Sequence, residues 1–312
     1  MRPSATAVLV LLCALATLAL LVGTTFGGFA FLIVVIFLLT VGVGWGVREV
    51  APSAPWLLPT LLVLGVAISV TSILTGLLNG LSDEPYTTPA YAALGWGLYT
   101  HPATVTYVQY GTTHVDYSYY VYLPLLTFIQ VPGLDYRWLS LAAWGAGVYL
   151  LRRDPFAAGG FSAPWIPLLA ANGQNDFVPL LLLTVALAVR PPRGRWAAEV
   201  VGLALKQTAN VVIFAYHLAR REYLRALAAV AVTAAILAPF LWIDAGAVYC
   251  HVVVGSSVNT CAARPWTFFV FKRNYWLYPS WVVVVFHRPL GQGLERLRAR
   301  LSSLGSSRGS PP

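Results

Sequence analysis

Charge is what this sequence has least of. Only 10% of its 312 residues are charged, while 58% are hydrophobic; a water-soluble domain carries about 25% charge. So few charged groups cannot cover a water-facing surface, which excludes an ordinary soluble globular protein. Lysine is nearly missing, since the 20 basic residues comprise 18 Arg and only Lys206 and Lys272. The three cysteines show none of the CxxC-type spacing of a structural metal site, and Cys13, inside an apolar run, reads as a small core residue. A net charge of +9 would point to nucleic acid in a soluble chain. Here the basic residues sit in short connectors and in the tail, where they face anionic lipid headgroups. No nucleic-acid partner is expected.

What the chain does have is long apolar runs. Val8–Val22, Phe29–Val47 and Trp56–Leu78 each lack Asp, Glu, Lys and Arg. A bilayer core of about 30 Å takes roughly 20 such residues. The pattern predicts an all-α, polytopic transmembrane helical bundle of about 8–10 membrane segments, some short or re-entrant. The first run has the look of a signal peptide. Another apolar run follows almost at once without a convincing small-residue cleavage site, so it is expected to be a retained helix. Residues 1–287 read as the membrane domain and 288–312 as a basic cytoplasmic tail. That tail opens with Leu290, Leu294, Leu297 and Leu301 interleaved with Arg296, Arg298 and Arg300, the pattern of an interfacial amphipathic helix. Its Ser/Gly/Pro-rich end is expected to be disordered. There is no internal repeat.

Orientation follows from the basic residues. None lies between Arg48 and Arg137, so the polar stretch of about residues 80–117 belongs outside the cytoplasm. Arg2 and the basic tail then place both termini on the cytoplasmic side of a cell membrane. Residues 244–265 form a second external loop, ahead of a last span of about Tyr275–Phe286. The segment Trp196–Leu218 is 23 residues long, enough for one crossing but not two, yet basic clusters flank it on both sides. The polar tract Lys206-Gln207-Thr208 at its midpoint favours a broken, re-entrant helix pair lining a wet cavity. The stretch Tyr119–Leu151 reads either as one kinked crossing or as a short hairpin around Pro132-Gly133.

Several residues stand out chemically. Asp83 and Glu84 follow the third span directly, placed either as general bases or as a solvated helix end. His101, His114 and Asp116 lie further along the same loop, among Tyr86, Tyr91, Trp96, Tyr99, Tyr107, Tyr110, Tyr117, Tyr119, Tyr120 and Tyr122. Such aromatic density fits an interfacial belt and equally a carbohydrate or headgroup cleft. Lys206, in an apolar segment, is costly without an anionic partner, either a lipid phosphate or a carboxylate. Gln174, in the Asn172–Asp176 tip, is a second polar insertion or a plain turn. Arg264, Lys272 and Arg273 fit the phosphate of a lipid-linked substrate or an interfacial anchor. Cys250 and Cys261 share the second external loop, where a disulfide is expected; two free thiols are the alternative. No metal-ligand cluster is visible, and dependence on a divalent metal stays open.

The order of these elements resembles membrane glycosyltransferases of the C-type fold, in the branch that uses polyprenyl-phosphate-linked mannose and is often described only as a domain of unknown function. The resemblance runs over about residues 82–240. Its elements are Ser82-Asp83-Glu84-Pro85-Tyr86, Gly97-Leu98-Tyr99-Thr100-His101-Pro102, Tyr122-Leu123-Pro124-Leu125-Leu126, Gly173-Gln174-Asn175 and Gly202-Leu203-Ala204-Leu205-Lys206. The basic turn Arg220-Arg221-Glu222-Tyr223 closes the series. Leu123 and Gln207 stand where that branch carries prolines.

The resemblance implies an inverting hexosyltransferase acting at the external face. Its donor would be a mannose or similar sugar on polyprenyl phosphate, and its acceptor a glycolipid, polysaccharide or glycoprotein hydroxyl. Asp83 or Glu84 would take the proton, and Lys206 or Arg264 would stabilise the leaving phosphate. The implied partners are membrane lipid, that donor and that acceptor. The rival readings are a transporter or lipid flippase, whose coupling charges belong near the midplane, a truncated inactive relative, and a partner subunit with no site of its own.

Overall fold

The computed structural model of the chain describes residues 29–75, 89–109, 112–120, 123–128, 135–171, 176–188, 195–253, 277–288 and 292. Most of them are helical. The elements are α1 (Phe29–Val50), α2 (Leu57–Thr75), the short α3 (Pro89–Ala93), a hairpin of β1 (Ala103–Gln109) and β2 (Thr112–Ser118), and the single turn α4 (Leu125–Phe128). There follow α5 (Tyr136–Leu151), α6 (Pro155–Phe161), α7 (Trp165–Ala171) and α8 (Phe177–Leu183), the last running on into a π-helical turn, Thr184–Ala188. The remainder is α9 (Arg195–Leu205), α10 (Gln207–Ala219), α11 (Tyr223–Val248) with the π turn Tyr249–Val253, and α12 (Leu277–Val285).

The long apolar runs become the long helices. Among the described residues, two are long and apolar enough to cross a membrane: α2, and α11 continued through Val252. The first apolar run, Val8–Val22, lies outside the described residues. Both long helices turn apolar side chains outward: Val63 is 67% exposed, Leu74 73%, Leu224 84% and Trp242 92%. Exposed apolar side chains along two such helices fit lipid better than water. On α11, Tyr223 and Trp242 are both exposed, and the helix rises roughly 28 Å between them. That is close to the separation of the two interfacial aromatic belts of a bilayer.

One buried core joins α1, α2 and α5–α12. Glycines set its closest approach. A Cβ on Gly159 of α6 would stand 2.5 Å from Val47 Cβ of α1, and one on Gly160 would stand 2.9 Å from Val284 Cγ2 of α12. Small residues at such contacts let helix backbones meet in an apolar medium. Among the described residues the three buried indoles are satisfied: Trp144 donates to Phe161 O at 2.7 Å, Trp165 to Thr40 Oγ1 at 3.0 Å and Trp281 to Thr184 Oγ1 at 3.0 Å.

Not every local expectation matches. The predicted external loop contains the antiparallel β1–β2 hairpin, registered Ala103↔Ser118 through Gln109↔Thr112. Alternating β-branched and aromatic residues favour a strand here, with Val105 buried between exposed Thr104 and Thr106. Tyr119–Leu151 is described only in part. It holds the turn α4 and the 16-residue helix α5, with Asp135 capping α5 by accepting from Arg137 N at 2.9 Å. Pro132 and Gly133 lie outside the described residues.

Candidate functional site

The segment Trp196–Leu218 breaks where its polar tract begins. Lys206 is extended (φ −150°, ψ 139°) between α9 and α10. The two helices fold back on each other, so that their far ends meet: Arg195 Nη2 donates to Tyr216 Oη at 3.4 Å, and His217 pairs with Glu199. With 11 and 13 residues, each arm is shorter than a bilayer core.

Lys206 stands at the tip of this hairpin. Its Nζ lies 2.5 Å from Asp176 Oδ1, and both residues are buried. Asp176 precedes α8 directly, so the last residue of the polar Asn172–Asp176 tract supplies the anion. Beside the pair, Gln207 Nε2 donates to Val252 O at 3.1 Å, which ties the hairpin tip to the π turn after α11. In that turn His251 stacks flat on Tyr119, with centroids 4.5 Å apart and 6° between planes.

Above the tip sits an aromatic cluster. Tyr91, Tyr99 and Tyr120 pack with Leu205, Phe240, Val248 and Val252 in one buried group. Tyr91 and Tyr120 rings are 5.1 Å apart, and Tyr99 meets Phe240 edge-on at 5.1 Å. Burial pushes the Tyr99 hydroxyl well above its ordinary range. Burial also raises Tyr120, helped by the neighbouring Tyr99, Tyr136 and Tyr91. These phenols stay neutral and act as hydrogen-bonding groups: Tyr120 donates to Leu123 O at 3.2 Å, and Tyr91 Oη lies 2.6 Å from Ser118 Oγ. The aromatic-rich stretch thus divides. Tyr91, Tyr99 and Tyr120 form a packed floor, while Trp96 and Tyr117 remain exposed.

The residues singled out in sequence fall as follows. Lys206 is placed against a carboxylate, one of the two partners expected for it. His101 is exposed at the entry to β1. His114 and Asp116 lie on β2, in register with Tyr107 and Val105. Asp83, Glu84, Tyr122, Gln174, Arg264, Lys272, Arg273 and Cys261 lie outside the described residues. Cys250 is buried and disulfide-bonded. Among the described residues no group of three or more His, Cys, Asp or Glu is arranged to hold a metal ion.

A second polar constellation, at the open ends of the α9–α10 hairpin, escaped the sequence reading. His217 is buried with both ring nitrogens on carboxylates: Nε2 on Glu199 and Nδ1 on Glu222, the latter at 2.8 Å. A neutral imidazole has one N–H, so both contacts are hydrogen bonds to ionised carboxylates only when the ring carries two protons. Arg221 (φ 59°) ends α10 in the left-handed region. Arg221 N then donates to Leu218 O, and Glu222 N to His217 O, both at 2.9 Å. This closing turn swings Glu222 back over His217. Burial would raise the Glu222 carboxyl, but hydrogen bonds from Arg220 and His217 and the charges of Arg225 and Arg220 outweigh it and hold it at about 2. The only signal for this group was the basic turn, which read as a topological marker. In comparisons with known proteins, the chain matches no family model, no curated protein and no solved structure.

Proposed function

We propose that the chain is a polytopic membrane glycosyltransferase that takes a hexose, mannose or similar, from a polyprenyl-phosphate donor and passes it to an acceptor hydroxyl at the external face. The observation that carries this reading is the buried Lys206–Asp176 pair at a broken helix tip, directly beneath an aromatic floor contributed by the basic-free segment. The ion pair and the packed aromatics stand together at one end of the α9–α10 hairpin, and a phosphate-leaving reaction needs fixed cations, a part assigned below to Arg264 and Lys272. In this reading the termini and the Arg220-Arg221 turn are cytoplasmic, and the α9–α10 hairpin is re-entrant.

The chemistry is a single displacement. The acceptor oxygen attacks the anomeric carbon, the bond from that carbon to the phosphate oxygen breaks, and polyprenyl phosphate leaves with the electron pair. The acceptor proton passes to Asp83, or to Glu84 in its place, and the anomeric configuration inverts. His101, His114, Asp116, Tyr122 and Gln174 are assigned to sugar and acceptor binding, with Arg264 and Lys272 on the phosphate.

The test incubates membranes containing the full chain with radiolabelled polyprenyl-phosphate sugars and follows label into lipid and protein acceptors. Transfer that depends on the chain is expected. A transporter or flippase is the second reading, because a buried cation–anion pair in a helix break also suits a translocation path. Movement of label across sealed vesicles without a new glycosidic bond would replace the first reading by the second.

A further inference from the structure

The open ends of the α9–α10 hairpin enclose a cleft of about 190 Å³, lined by Arg195, Trp196, Glu199, Ile213, His217 and Arg225 among others. It lies about 15 Å along α9 from the Lys206 tip and belongs to the opposite end of the hairpin.

The charges around it do not balance locally. Glu199 is occupied by His217, and Glu222 is shared among His217, Arg220 and Arg225. Arg195 has no carboxylate partner among the described residues; its one hydrogen bond is the long contact to Tyr216 Oη, at 3.4 Å. Its Nε is shielded from solvent and has no hydrogen-bond partner among the described residues. A buried donor on a cation is expensive to leave unmade. Arg225 reaches Glu222 only at 3.4 Å, with a side chain 60% exposed. The first turn of α9 starts at this cleft, adding backbone N–H groups that have no partner within their own helix. Trp196 is 73% exposed at the rim, the position of an interfacial anchor.

We propose that this cleft binds a phosphate group, held by the guanidinium groups of Arg195 and Arg225 at the start of α9. A guanidinium fork matches phosphate oxygens, and Arg195 and Arg225 both line this cleft. The Glu199 carboxylate at the same wall is already engaged by His217. Two sources share this chemistry: the headgroup of an anionic phospholipid, and a free phosphate ester. The inference is independent of glycosyl transfer at the Lys206 end.

The experiment uses the full chain purified in a neutral detergent. Phosphatidylglycerol or phosphatidylcholine is added, and retained lipid is counted by mass spectrometry of the intact complex. Glycerol 3-phosphate serves as the soluble competitor. Retention of phosphatidylglycerol over phosphatidylcholine is expected, falling about tenfold in Arg195→Gln and in Arg225→Gln. Arg288→Gln, which removes a charge at an exposed site beside Asp154, serves as the control and keeps native retention. Displacement by millimolar glycerol 3-phosphate assigns the site to free phosphate esters; persistence of the lipid assigns it to a headgroup. The exposed side chain of Arg225 lets its variant decide the matter if Arg195→Gln does not fold. Equal retention of both lipids without glycerol 3-phosphate binding, or an Arg225→Gln chain that retains as much as Arg288→Gln, overturns the proposal.

Discussion

Lys206 and Asp176 meet at 2.5 Å where the tip of the α9–α10 hairpin touches the start of α8. Removing one partner of a buried pair leaves the other charge uncompensated, which costs about 3–5 kcal/mol. Lys206→Met is therefore expected to lower the thermal midpoint in detergent sharply. Lys206→Met with Asp176→Leu is expected to recover most of it, because an apolar pair of similar volume replaces the ions. If the single variant is as stable as the native chain, the pair does not hold the tip.

The parts of the molecule visible in sequence are those governed by composition over a window. Phe29–Val47, Trp56–Leu78 and Ala226–Ile243 announce their helices because apolar runs of that length have few alternatives. The break at Lys206 was legible from a polar tract within an apolar segment. Its partner was only narrowed to a phosphate or a carboxylate, because Asp176 is remote in sequence and reaches Lys206 through tertiary packing. Glu199, His217 and Glu222 were invisible for the same reason: they converge only once α9 and α10 fold back and the left-handed Arg221 turns the chain. The β1–β2 hairpin was missed where strand propensity in a short polar stretch is outweighed by the surrounding membrane-like pattern.

The turn at Glu222 should be sensitive to acid. Its carboxyl is held at about 2, below the ordinary value of 4.5. A depressed carboxylate stabilises the fold fully above pH 4.5, and that stabilisation is lost as pH falls from there towards 2. The apparent melting temperature should drop over this window, and Glu222→Gln should flatten the drop. An unchanged acid profile in Glu222→Gln would remove Glu222 from that role.

Arg221 occupies a left-handed conformation that glycine adopts without a Cβ penalty. Arg221→Gly is expected to stabilise the chain by about 1 kcal/mol, read as a higher thermal midpoint. A loss of stability would mean that the exposed Arg221 side chain makes a contribution larger than the backbone strain.

The α1–α6 contact should tolerate no side chain at Gly159. A Cβ there falls 2.5 Å from Val47 Cβ, so the helices must separate. Gly159→Val is expected to destabilise by about 1–3 kcal/mol, and Gly159→Val with Val47→Ala to regain part of that. Full stability of the single variant would mean that α1 and α6 pack differently.

The catalytic assignment rests on Asp83, with Glu84 second. A carboxylate is a weak base in water, so its value depends on position: it must face the acceptor hydroxyl as the anomeric bond breaks and that hydroxyl becomes acidic. A positioned general base contributes about 10²–10⁴-fold. Asp83→Asn keeps the shape and removes the basicity, so transfer from a polyprenyl-phosphate sugar should fall at least about 100-fold while the protein still inserts and accumulates. A reduction confined to donor affinity would instead assign Asp83 to binding. Where the native chain transfers sugar and Asp83→Asn keeps most of that activity, the base passes to Glu84. If Glu84→Gln keeps it as well, the segment after α2 does not hold the base.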